Sequence, residues 1–225
     1  MKTETPSTTA RKVALNIISL GAKPGMEKAL PPGIVDATAR LLVAAGVVGE
    51  GAVRFASSGW AVAIYEAFDW MMPGQFEAFA HRKAFCERTV RDGIAAGTMQ
   101  VLVLGAGYDT LGWRLAPRFP GVRFFEVDHP ATGERKAKGI AGLGRRENLH
   151  LIQADLASRT LVDVLGAVDN WESAAPSASA IRVPGLDRIL LLRSLLPALP
   201  PVDYQVQIDR RAPTATVEVV HELVM

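Results

Sequence analysis

The stretch Val101–Thr110, "VLVLGAGYDT", decides how the chain is read. Four apolar residues run into Gly105-Ala106-Gly107, followed by an aromatic residue and an acid. A short, continuous apolar run is the mark of a strand buried on both faces of a parallel sheet. In an open parallel sheet, ligands lie beyond the carboxyl ends of the strands. Glycine has no Cβ, so Gly105 and Gly107 allow left-handed backbone angles and let a ligand press against the main chain. The turn is therefore the candidate binding point. Two phosphate cradles do not fit it: a dinucleotide fingerprint needs a third glycine where Thr110 stands, and no Gly-Lys-Ser/Thr follows to make a P-loop.

Beyond the turn the pattern alternates. "TLGWRLAPRF" reads as a short helix, "VRFFEVD" (122–128) as a second strand and "ATGERKAKGIAGL" as a second helix. "LHLIQAD" (149–155) is a third strand and "SRTLVDVLGAV" a third helix. Strand–helix alternation at this spacing predicts right-handed βαβ units, hence an α/β, doubly wound, mostly parallel sheet. Residues 1–97 read as helices instead: "STTARKVALNIISL" behind Ser/Thr caps, "GIVDATARLLVAAG" ending on glycine, the apolar "SGWAVAIYEAFDW", and the long "GQFEAFAHRKAFCERTVRDGIAAG". The expected division is an N-terminal helical cap over 1–97 and an α/β core over 98–225, with an atypical short tail from about 169. In that tail "GLDRILLLRSLLPAL" reads as one helix, and "DYQVQIDRR" and "ATVEVVHELV" as two strands, an antiparallel pair at the end of the sheet.

Bulk properties narrow the function. A formal charge of +2 gives no reason to expect nucleic acid or an anionic membrane as partner. The single cysteine, Cys86, excludes an internal disulfide, fits a reducing compartment, and reads as a small buried hydrophobe. No run approaches the ~18 apolar residues of a membrane span, and the start of the chain lacks the apolar core of a signal peptide. The expected location is cytoplasmic. No His/Cys set has metal-ligand spacing, and His81, His129, His150 and His221 carry no assigned role.

Three acids sharpen the ligand. Asp109 follows the glycine turn, Asp128 ends the second strand, and Asp155 ends the third. An acid at the end of strand two can accept both ribose hydroxyls of an adenosine ligand, and one at the end of strand three can take the adenine amino group. Neither task involves a phosphate, which suits S-adenosylmethionine. Each acid also has a purely structural reading: Asp109 and Asp155 as caps of the helices that follow, Asp128 as a cap ahead of Pro130.

Residues 78–166 resemble the leucine carboxyl methyltransferase family of S-adenosylmethionine-dependent enzymes. The resemblance rests on "HRKAFCERTVRDGIAAGTMQVLVLGAGYDTLGWRLAPRFPGVRFFEVDHPATGERKAKGIA" and the later "LIQADL", above all on "GAGYDT" and "FEVDHP" at their spacing. It implies a Rossmann-like methyltransferase sheet. It implies that Arg82 pairs with the methionine carboxylate, that Gly105, Ala106, Gly107 and Asp109 line the methionine part, that Asp128 holds the ribose, and that Asp155 and Leu156 face the adenine. Glu126 is expected to be structural or to sit behind the site, and Trp113 and Arg114 to pack and pair behind the loop. The implied reaction is methylation of a carboxylate or hydroxyl, on a small molecule or a protein, by direct displacement. A carboxylate is already a nucleophile at neutral pH, so no catalytic acid or base is assigned.

The sequence departs from the family after the third strand. The fourth-strand Ala-Glu-Gly and its Tyr are missing, and "APSASAIRVPGLDRILLLRSLLPAL" stands there. Without a fourth strand, "QVLVLG" would present an open apolar edge. A reduced sheet using "SAIRV", "YQVQID" and "TVEVVHEL", a partner chain (hence a homodimer), or a truncated relative are the alternatives. The competing function is a non-catalytic or vestigial binder of S-adenosylmethionine or S-adenosylhomocysteine. A nicotinamide oxidoreductase rests on Gly-x-Gly alone and fails at Thr110.

Overall fold

A computed structural model describes residues 5–68, 73–169 and 171, and the backbone of strands 189–193 and 217–220. Five helices come first: α1 (Thr8–Ala22), α2 (Ile34–Ala44), α3 (Glu50–Ala56), α4 (Gly59–Phe68) and α5 (Gln75–Ala95). The α/β part follows as β1 (Gln100–Leu104), α6 (Leu111–Leu115) with a 3-10 turn over Ala116–Arg118, β2 (Arg123–Asp128), α7 (Pro130–Leu143), β3 (Leu149–Gln153) and α8 (Leu161–Gly166). Strands β4 (Ile189–Arg193) and β5 (Val217–Val220) complete it.

The sheet has the order β3-β2-β1-β4-β5, and every neighbouring pair is parallel. Its central strand is β1, whose residues are all buried. Successive side chains serve opposite faces. Val101 and Val103 join Phe124 in a cluster with Cys86 and Val90 of α5 and Leu111 and Leu115 of α6. Leu102 and Leu104 join Phe125 and Val127 in a cluster with Val164 and Leu165 of α8. Two apolar faces on one strand are why the sequence here is continuous rather than alternating. Phe124 and Phe125 are fully buried, and truncating either to alanine costs about 3–5 kcal/mol.

One expectation for the tail is corrected. The run "ILLLR" inside the expected helix of 185–199 is strand β4, paired with β1 from Gln100↔Ile189 to Leu104↔Arg193. A short, fully apolar run carries no periodicity to separate a buried strand from a buried helix. β4 also closes the edge of β1 that would otherwise stand open. Within "ATVEVVHELV", β5 is a strand as expected and lies parallel to β4, while its expected antiparallel partner "DYQVQIDRR" lies outside the described residues. "SAIRV" and "YQVQID" lie outside the described residues. Helix α3 is an addition: Gly51 and its seven-residue length hide it in the sequence.

Helix α1 lies beside the glycine turn at the carboxyl end of β1, while α5 packs on a face of the sheet. Ala10, Ala14 and Ile18 of α1 share a cluster with Leu41 and Leu42 of α2, Tyr108 and Ile140 of α7. The backbone N–H of Ser7 donates to Thr132 Oγ1 at 3.0 Å, tying the start of α1 to α7. No helix among the described residues is long and apolar enough to cross a membrane. No group of three or more His, Cys, Asp or Glu among them is placed to hold a metal ion.

Candidate functional site

The chain leaves β1 at Leu104 and turns through Gly105 (φ 61°) and Gly107 (φ 50°). These left-handed angles are the ones glycine adopts without a Cβ penalty. Space adds a second constraint at Gly107, because a Cβ there would stand 3.1 Å from the Cβ of Ala10. The turn is pinned twice. The Ala106 N–H donates to Val127 O at 3.3 Å, and the Gly107 N–H donates to Asp128 Oδ2. Asp128 Oδ1 accepts from the His129 N–H at 2.6 Å.

Asp128 is therefore not the cap of α7. His129 is: its Nδ1 accepts from the Ala131 N–H at 3.3 Å, and Pro130 fills the first helical position. A carboxylate has about four lone-pair sites, so two backbone bonds leave Asp128 able to accept more. Gly105, Ala106, Gly107, Asp109 and Asp128 line one cleft beneath Ala10 and Ala14 of α1.

Asp109 faces the same cleft with Lys83 of α5, whose Nζ lies 2.7 Å from Asp109 Oδ2. Its other oxygen accepts from the Leu111 N–H at 2.8 Å, so Asp109 also braces the entry to α6, whose N-cap is Thr110. Burial alone would raise this carboxyl, but Lys83, with Lys136 and Arg114 behind it, holds it well below the usual carboxylate range.

A second ionic layer lies behind the first. Glu87 sits one helical turn after Lys83, where i,i+4 side chains share a face. It accepts from Arg114 Nη1 at 2.5 Å and from Arg91 Nη2 at 2.7 Å. Arg114 also reaches Thr110 Oγ1 at 3.2 Å and Pro32 O at 3.3 Å. Trp113 donates to Gly144 O at 2.8 Å. Both residues pack and pair behind the glycine turn. Glu126 and Lys136, each 2% exposed, form an ion pair of 2.7 Å within the fold. Burial pushes the Glu126 carboxyl up, against the pull of Lys136. Gly112 makes room for it, since a Cβ there would stand 2.7 Å from Glu126 Oε1.

The remaining expected residues stand apart. The Arg82 guanidinium lies 5.1 Å from the centre of the Phe79 ring, and the cation of α5 in the cleft is Lys83. Asp155 follows β3 and accepts from the Ala157 N–H at 2.9 Å. It caps that turn, while Thr160 caps α8. Leu156 packs at the edge of the cluster around Phe125. Sequence reasoning passed over Lys83 because its neighbour Arg82 fits the family pattern. The acid that Lys83 serves, Asp109, lies 26 positions further on.

A family model described as leucine carboxyl methyltransferase matches residues 25–182. The chain belongs to the leucine carboxyl methyltransferase family. The matched region holds the glycine turn, Asp128 and Asp155, while α1 and β4 fall outside it. A putative S-adenosyl-L-methionine-dependent methyltransferase of Mycolicibacterium paratuberculosis is 30% identical over 139 residues, covering 62% of this chain and 40% of the relative. One of Saccharopolyspora erythraea is 35% identical over 123 residues, covering 53% and 38%. The solved mitomycin 7-O-methyltransferase MmcR is 15% identical with a TM-score of 0.28, covering 72% of this chain and 46% of that one. The chain thus spans about 40% of the length of the first of these relatives.

Proposed function

We propose that the chain binds S-adenosylmethionine at the glycine turn and transfers its methyl group to a carboxylate or hydroxyl oxygen. The observation that carries this reading is the bond from the Gly107 N–H to Asp128, which locks the turn and the strand-two acid into one cleft. The donor set fits the ligand: Asp128 has lone pairs left for ribose hydroxyls, and the turn brings bare backbone where a thioether chain can lie. Bound there, S-adenosylmethionine supplies a methyl group already activated by the sulfonium.

The chain's own residues have positioning to do. Gly105, Ala106, Gly107 and Asp109 would flank the methionine part, Arg82 its carboxylate, and Asp155 with Leu156 the adenine. α1 lies over the turn, where Ala10 and Ala14 line the cleft. Holding the acceptor oxygen close to and in line with the methyl carbon is the main source of rate in such a displacement. The division into a helical cap (1–97) and a binding core (98–225) belongs to the same proposal.

A second reading is a binder without turnover, favoured by the missing Glu-Gly after β3. Calorimetric titration with S-adenosylmethionine and with S-adenosylhomocysteine tests both. Micromolar binding of either supports the site, and methyl transfer to a carboxylate acceptor then separates enzyme from binder. A folded protein that binds neither overturns both readings.

A further inference from the structure

We infer that a second cleft, between the start of α1, the turn after α2 and the first half of α7, binds an oxyanion: a carboxylate or phosphate group. Its walls include Thr8, Arg11, Gly46, Tyr108 and Arg135. Tyr108 is 3% exposed, and its hydroxyl has no hydrogen-bond partner among the described residues. Its ring is held in the apolar cluster with Ala14, Ile18, Leu41 and Ile140. A buried hydroxyl without a partner is costly, and Tyr108 is one of the residues that line this cleft.

The charge around it is mainly positive. Arg11 and Arg135 both act on the Tyr108 hydroxyl, as does the Asp128 carboxylate. Arg135 Nη1 donates to Gly46 O at 3.1 Å, which fixes its guanidinium at the rim and leaves other N–H groups of its planar fork to a ligand. The 15-residue α1 points its N-terminus at the same space, held there by the Ser7 bond to Thr132. A helix start and arginine forks both favour a planar or tetrahedral anion. Two acids are near: Asp128, whose oxygens take the N–H groups of Gly107 and His129, and exposed Glu134 beside Arg135. The cleft meets the glycine-turn cleft at Ser7 and Tyr108, so an anion bound here lies next to that site but on different side chains.

The test is titration of the full chain with inorganic phosphate and with acetate at constant ionic strength, read by calorimetry and by thermal shift. Saturable millimolar binding of one ion is expected, and which ion binds identifies the group. Arg11→Gln and Arg135→Gln should each weaken it at least about tenfold, and Tyr108→Phe about two- to tenfold. Arg40→Gln, which removes an exposed guanidinium paired with Asp36, should change nothing. No saturable binding of either ion overturns the inference. So does equal weakening by Arg40→Gln. Full displacement of the anion by S-adenosylhomocysteine overturns it too, because the cleft would then be part of the adenosyl site.

Discussion

Lys83 Nζ lies 2.7 Å from Asp109 Oδ2, and both side chains are about nine-tenths buried. The pair joins the long helix α5 to the segment just ahead of α6, directly at the candidate binding turn. Removing one partner strands the other charge away from water. Lys83→Met should therefore destabilise the fold by about 3–5 kcal/mol, measured by urea unfolding. Lys83→Met combined with Asp109→Asn should recover much of that loss. If Lys83→Met costs less than about 1 kcal/mol, the pair behaves as an exposed one and the buried clamp is wrong.

The same pair sets a pH dependence. Folding lowers the Asp109 carboxyl below its unfolded value, so the unfolded chain takes up this proton first as pH falls. The stability that Asp109 contributes is fully present above about pH 4 and is lost below it, towards its folded value. Unfolding free energy measured from pH 5 to 3 should fall less steeply in Asp109→Asn than in the unchanged protein.

Asp128 accepts from two backbone N–H groups, those of Gly107 and His129. Asp128→Ala should lower stability by about 1–3 kcal/mol and weaken S-adenosylhomocysteine at least about tenfold. Asp128→Asn keeps an acceptor oxygen and should fall between. Unchanged affinity in Asp128→Ala would remove the residue from the ligand site and leave it a brace of the turn.

Arg82, implied by the family resemblance, and Lys83, which lines the cleft, are the two candidates for a ligand carboxylate. Arg82→Ala should weaken S-adenosylhomocysteine by about 10- to 150-fold, the loss of a charge-assisted pair. Calorimetry on a variant with unchanged thermal stability decides it. If affinity survives, Lys83, the cation of α5 that lines the cleft, takes that role instead.

Glu126 and Lys136 form the most deeply buried ion pair described here. Glu126→Gln should cost about 3–5 kcal/mol by leaving the ammonium uncompensated, whereas Glu126→Leu with Lys136→Met should be close to neutral. Denaturation of the two variants side by side gives the comparison.

Much of this architecture was legible because the chain repeats one physical rule. β1 and β2 are short apolar runs, α6 and α7 follow them, and an acid stands at the carboxyl end of β2. The glycine turn was legible from Gly105 and Gly107 alone. β4 was not, because "ILLLR" has no alternation and its neighbours suggested a longer helix. The distant pairs were not legible either. Lys83 with Asp109, and Glu87 with Arg114, form only once α5 packs against α6, and no local pattern encodes that approach.

The sheet order bears on how the chain is made. β1 sits between β2 and β4, and β4 starts 85 residues after β1 ends, at Ile189 against Leu104. At ribosomal speeds of about 5–20 residues per second, that interval is on the order of ten seconds. In its later part, once β3 is complete at Gln153, a nascent chain can carry a β3–β2–β1 unit in which β1 is an edge strand unpaired on one side. Parallel pairing over so long a separation is intrinsically slow. Production of this protein should therefore respond more to chaperone supply and growth temperature during synthesis than to the stability of the finished fold.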